Sequence, residues 1–203
     1  MGLGMSALLL IAALTGCGTT QQETASNEIS ASQADSHYPV TVESYNYAGD
    51  VVTTTYEKAP ERVIAVYQGS IETMLALGLE EHVVASYGLD NAVKEEWKDG
   101  LSKMNYHEDV FAPSKEDVMM LESDMIFSWG SLFGEKKLGD VDQWISRGTN
   151  TYINTNTRAG GYDRTLEHEY TDILNIGNIF DVEEKAQALV DEMKQEIEDA
   201  LTK

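Results

Sequence analysis

Four short stretches carry side chains with binding chemistry, each directly after a run rich in β-branched or apolar residues. They are Tyr67-Gln68, Tyr87-Gly88, Trp129-Gly130-Ser131 and Asn154-Thr155-Asn156-Thr157-Arg158. Three carry an aromatic ring and the fourth carries an arginine. Flat, rigid rings suit a planar or catecholate-bearing ligand, and a guanidinium at Arg158 pairs with a carboxylate or an anionic chelate. A phenol at Tyr67 or Tyr87 is also able to ligate haem iron through its oxygen. The candidate ligand contacts are therefore Tyr67, Gln68, Tyr87, Trp129, Asn156 and Arg158. Each aromatic has an ordinary alternative, which is packing on the loop beside it.

Catalytic patterns are missing by contrast. No Gly-x-Gly-x-x-Gly or Walker-type loop follows a strand, and no Gly-x-Ser-x-Gly elbow is present. His37, His82, His107 and His168 are scattered, with no two at i, i+4 and no cysteine partner, so no metal-ligand set is visible. No pair of carboxylates stands out among 35 acids as an acid–base couple. An enzyme is not indicated.

The elements that would position these residues read as alternating strands and helices. Val40 to Tyr47 and Val51 to Tyr56 form a leading β-hairpin about Gly49-Asp50. Val63 to Val66, Val83 to Tyr87, Asp124 to Trp129 and Thr151 to Asn154 read as short strands. Ser70 is placed to cap a helix closed by Gly78, and Ser114 to cap one running to Leu121. Further helices are expected over Val93 to Lys103, Glu135 to Arg147 and Thr165 to Ile176, the last stopped by Gly177. Val182 to Leu201 places Ala186, Leu189, Val190, Met193, Ile197 and Leu201 on one side of a long amphipathic helix. Strands alternating with helices indicate an α/β fold with a parallel, helix-covered sheet. In such sheets ligands bind outside the carboxyl ends of the strands, where the four stretches lie.

Charge and the N-terminus bound the setting. A formal net charge of -21 over 203 residues argues against nucleic acid, which requires a basic surface, and against adsorption to anionic lipid heads. Leu3 to Leu14 is an uncharged apolar run, too short to span a bilayer and suited to a signal-peptide core. It ends in Leu14-Thr15-Gly16-Cys17, which resembles the bacterial lipobox, so Cys17 is the expected lipidation site. No Lys or Arg precedes the run, a departure from the usual signal peptide. Gly18 to Ser36 is polar and lacks aromatics, the composition of a flexible tether.

Two runs carry a family resemblance. Ala59-Pro60-Glu61-Arg62-Val63-Ile64-Ala65-Val66, followed by Gly69-Ser70-Ile71-Glu72-Thr73-Met74-Leu75-Ala76-Leu77-Gly78-Leu79, resembles the start of the iron-siderophore and vitamin B12 substrate-binding proteins of ABC transporters. Pro113-Ser114-Lys115-Glu116-Asp117-Val118 through Asp124-Met125-Ile126-Phe127 resembles a later segment of that family, with Glu122-Ser123 where Lys-Pro is usual. The resemblance covers roughly 59–203. It implies two α/β lobes joined by one long helix, with a ferric siderophore, haem or cobalamin held in a shallow cleft and no resident cofactor. It also implies delivery of that cargo to an ABC permease and its ATPase, with Glu135 as the acid that meets the permease.

The expected organisation is a signal peptide over 1–16, a lipidated cysteine and tether over 17–37, and a hairpin over 38–57. A first lobe over 58–180 and a connecting helix over 181–203 follow, with the second lobe absent, as in a fragment or truncated product. The expected location is the outer face of the cell membrane. Two other readings stand beside this one: a binding lipoprotein for free Zn or Mn ions, which needs several His and carboxylate ligands in the cleft, and an α/β enzyme or surface adhesion protein.

Overall fold

The computed structural model describes residues 36–202. The expected signal peptide, Cys17 and most of the tether lie outside the described residues. Among the described residues seven strands are formed: β1 Val40–Tyr45, β2 Val51–Tyr56, β3 Val63–Val66, β4 Val83–Tyr87, β5 Tyr106–His107, β6 Met125–Ser128 and β7 Asn150–Ile153. The α-helices among the same residues are α1 Gln68–Ala76, α2 Lys98–Lys103, α3 Lys115–Met120, α4 Val141–Ile145, α5 Leu166–Ile179 and α6 Glu183–Leu201.

β1 and β2 pair antiparallel from Val40 opposite Tyr56 to Tyr45 opposite Val51, the hairpin expected from their β-branched runs. The other five strands make one parallel sheet in the order β5-β4-β3-β6-β7. β3 is the first of these in the chain, and successive strands are added to one side of it and then to the other. The order therefore reverses between β3 and β6.

The sheet is buried on both faces, which is why β3 and Met125 to Phe127 of β6 are continuously apolar rather than alternating. Val63, Ala65, Met125, Phe127 and Tyr152 point to one core, which α1, α5 and α6 close with Ile71, Met74, Ile176, Ala186 and Val190. Ile64, Val66, Ile126 and Ile153 point to the other, where α3 and α4 supply Val118, Val141 and Trp144. The hairpin stands beside β7, and the Ser44 hydroxyl accepts the Ile153 N–H at 2.8 Å. That bond satisfies a donor on an otherwise open sheet edge.

Several helix expectations change. α1 starts at Gln68, so Ser70 is not its cap; Ser70 is buried and donates to Asn154 Oδ1 at 2.8 Å. Gly78 does close α1, with φ +68, through the paired bonds of its own N–H to Leu75 and of Leu79 N–H to Met74. Ser114 caps α3 in a reciprocal capping box with Asp117, as expected. The helix expected over Glu135 to Arg147 is only α4, entered from Asp140, whose carboxylate accepts the Val141 N–H. Leu138 reaches the core from the preceding turn instead. α2 begins after a 3₁₀ turn at Glu95–Trp97, and β5 carried no period of its own in the sequence. Gly177 does not stop α5, which runs on to Ile179.

Candidate functional site

The strand order reverses between β3 and β6, the place where open α/β sheets bind ligands, and the residues at the carboxyl ends of these strands are Tyr67 and Trp129. Tyr67 has φ 95 and ψ 149, a region that non-glycine residues rarely occupy. Bonds on both sides of the residue hold it there. Its N–H donates to the Tyr87 carbonyl at 2.9 Å, and its own carbonyl accepts from Ile71 N–H at 3.0 Å, opening α1. The effect is to turn the phenol ring onto the strand tips, where it meets Trp129 edge-on with centroids 6.0 Å apart.

A third ring completes this wall. Phe111, in the loop after β5, lies 5.6 Å from Trp129 and is 58% exposed. It had no signal in the sequence, because its loop has no periodicity and follows no strand run that was recognised. Its position depends on Gly88, with φ +78, where an added Cβ would stand 2.7 Å from the Phe111 carbonyl. Gly130 is required in the same way, since its Cβ would fall 2.9 Å from the Thr157 carbonyl. That close approach lets Gly130 N–H donate to Thr157 Oγ1 at 3.0 Å and brings the β7 loop against the β6 loop.

Cations flank the wall. Lys137 Nζ sits 5.1 Å from the centre of the Trp129 ring. The Arg158 guanidinium is sandwiched between Tyr45, at 4.7 Å, and Tyr162, at 3.4 Å. Its Nε has no hydrogen-bond partner among the described residues. A cavity of about 390 Å³ opens beside Tyr67, lined among others by Gly69, Asn156, Arg164, Leu166 and Glu169. Its volume lies in the range of small-molecule sites. Three of the chain's 14 basic side chains, Lys137, Arg158 and Arg164, lie near the tips, with Glu135, Asp140 and Glu169 among their neighbours.

The other sequence candidates are placed at the same edge but differently used. Gln68 Oε1 accepts from the N–H groups of Asp90 and Asn91, each at 3.0 Å, and Nε2 donates to Glu72 at 2.7 Å. Asn156 bonds Thr165 through both ends of its amide, donates to Glu169 and meets His168 Nδ1 at 3.0 Å. These two amides hold loops in place. Tyr87 is 2% exposed and stacks on His107 with centroids 4.5 Å apart. Burial, with the nearby charge of Asp117, pushes its phenol upward from the usual value, so it is held neutral. Glu135 is exposed in the turn before α4 and not at a helix start, beside a cavity of about 510 Å³ that Tyr47, Lys136, Lys137 and Asp140 also line.

The tips therefore converge on one edge, and they present rings and cations with no nucleophile–base pair among them. The long helix α6 is only partly covered. Ala186 and Val190 are buried, Leu189, Met193 and Ile197 are half-buried, and Leu201 is 83% exposed. Among the described residues no helix is long and apolar enough to cross a membrane.

No family model matches the chain, and no curated protein matches it. Solved structures do. A periplasmic binding protein from Veillonella parvula is 34% identical, with a TM-score of 0.72, over 77% of this chain and 50% of that one. A structure described as an ABC-type Fe3+-hydroxamate transport system, from Saccharomonospora viridis, is 23% identical with a TM-score of 0.60, over 78% and 54%. A petrobactin-binding protein from Bacillus subtilis is 23% identical with a TM-score of 0.55, over 80% and 52%. The last two likenesses show the fold alone. The chain thus has the periplasmic-binding-protein type of α/β fold and spans about half the length of the structures it matches. These neighbours are solute-binding transport proteins and match the family to which the two sequence runs are similar.

Proposed function

We propose that this chain is the cargo-gripping first lobe of an ABC importer's substrate-binding protein, and that its cargo is an anionic ferric siderophore. The observation that carries this reading is the wall of Tyr67, Trp129 and Phe111 at the point where strand order reverses, with Lys137 over the Trp129 ring and Arg158 in the β7 loop that packs on Gly130. Rings of this kind stack on catecholate or other flat groups, while the cations meet their negative charge. Haem and cobalamin are the other members of the cargo class.

In this reading α6 carries a second lobe against its uncovered stripe, the cargo closes between the lobes, and a helical hinge keeps the closure small. Glu135 meets the permease, which works with its ATPase, and Cys17 holds the protein to the outer face of the membrane by its lipid. No bond in the cargo is made or broken. Zn or Mn capture at the strand tips is disfavoured, because the described tips bring together aromatics and cations where such ions need histidines and carboxylates.

The test is a tryptophan-fluorescence titration with ferric hydroxamate and catecholate siderophores, haem and cobalamin. A saturable change that disappears in Trp129→Phe is expected with at least one of them. No response to any of the four, or a response unaltered by that substitution, contradicts the reading.

A further inference from the structure

The side chains of His37, Asp181 and Glu183 converge so that one ligand atom of each lies within 4.8 Å of the other two. His37 comes from the segment before β1, Asp181 from the α5–α6 turn and Glu183 from the first residue of α6. The turn follows the end of α5 and lies near the start of β4, where Phe180 packs edge-on against His82 at 5.1 Å. That is the sheet edge opposite the strand tips, so the group is separate from the aromatic wall.

The imidazole is fixed with one nitrogen facing both acids. His37 Nε2 lies 2.7 Å from the Asn178 carbonyl oxygen, and a carbonyl only accepts, so the proton belongs on Nε2. Nδ1 then turns its lone pair toward Asp181 Oδ1 at 3.4 Å and Glu183 Oε1 at 3.2 Å. An imidazole oriented through its second nitrogen by a backbone carbonyl is the usual setting of a metal-binding histidine. The spacing also fits. Ligands bound at about 2.0–2.1 Å to a tetrahedral ion stand about 3.3 Å apart by geometry.

The support around the group is rigid. Tyr38 donates its hydroxyl to the Ile179 carbonyl at 2.8 Å and packs edge-on against the His37 ring at 4.6 Å. Asp181 has φ 56 in the turn between α5 and α6, and its Oδ1 lies 3.4 Å from His37 Nδ1. No lysine or arginine pairs with Asp181 or Glu183 among the described residues. Asp181 and Glu183 are exposed and His37 is half-buried, so an ion entering from solvent would meet one nitrogen and two carboxylates at once.

We propose that His37, Asp181 and Glu183 bind one divalent transition ion, with water completing a tetrahedral shell. One nitrogen and two carboxylate oxygens favour an ion of the zinc type over Ca²⁺ or Mg²⁺, which take oxygen ligands. The bound ion staples the start of the folded chain to the root of α6. It is a structural clamp and not part of the cargo site, so the two proposals stand or fall separately.

The test titrates the full chain with Zn²⁺ against a chromophoric chelator and follows thermal unfolding with and without the ion. One equivalent per chain is expected. His37→Ala and Asp181→Asn should each weaken binding at least tenfold and abolish the Zn²⁺-dependent rise in melting temperature. Asp181→Asn keeps a residue that tolerates the left-handed backbone, so it remains informative if His37→Ala folds poorly. Absence of stoichiometric Zn²⁺, or binding by both variants as tight as that of the parent chain, overturns the proposal. It would leave a protonated His37 pairing with the two acids as the explanation of the geometry.

Discussion

Asp172 is 1% exposed and lies beneath the end of β7, where it accepts bonds from Tyr152 OH, Thr155 N–H and Thr155 Oγ1 at 2.9, 2.8 and 2.6 Å. Three donors favour its charged form, yet burial outweighs them and pushes the carboxyl up from 3.8 to about 7. The folded chain thus keeps a proton that the unfolded chain releases once pH passes the ordinary carboxylate range. Stability contributed by this proton is fully present at acid pH and is lost as pH rises through about 4 to 7, by roughly 1 kcal/mol per unit in that window. Thermal unfolding followed between pH 5 and 8 should show this decline in the parent chain and little of it in Asp172→Asn; parallel profiles would refute the assignment. At Tyr67 the backbone and the ring make opposite demands. Tyr67→Gly should be more stable than Tyr67→Ala by about 1 kcal/mol, because only glycine occupies φ 95 without strain, although both lose the ring from the wall. Chemical denaturation of the two variants checks this, and an alanine variant of equal or greater stability would show that the conformation is unstrained.

At the scale of elements, the crossing of α5 and α6 depends on one glycine. A methyl group added at Gly177 would overlap the Ala186 side chain, so the helices approach there as closely as backbone and one methyl allow. Gly177→Ala should destabilise the chain by about 1–3 kcal/mol, and Gly177→Ala combined with Ala186→Gly should recover much of that loss, as read by urea denaturation. A neutral single substitution would mean that the two helices are not in contact. The sequence presented this glycine as a helix stop because glycine is common there, and nothing local distinguishes a stop from a crossing. The same limit governs Ser70, whose type suits a cap but which is buried against Asn154 because the unusual backbone at Tyr67 starts α1 earlier. The strands were legible because β-branched runs such as Val63 to Val66 are bounded by turn residues and need no partner to be recognised. Leu138, Val141, Trp144 and Ile145 had helical spacing yet come from a turn and a short helix, so periodicity overstated the element.

For the whole molecule, the sheet order joins these pieces into a site. The reversal between β3 and β6 sets Tyr67 beside Trp129, and the loop after β5 folds back over Gly88 to add Phe111. The sequence identified which tips carry rings and that they share an edge. It did not reveal that Gln68 and Asn156 use their amides to hold loops, since hydrogen-bond partners are set by tertiary placement. The central claim is that cargo is gripped at this edge. Amide chemical shifts recorded during titration with a diamagnetic gallium siderophore complex test it most directly. The account predicts saturable shifts concentrated at Tyr67 to Gly69, Gly88, Phe111, Trp129 to Ser131 and Asn156 to Arg158. Shifts confined to other surfaces, or none at saturating complex, would contradict it.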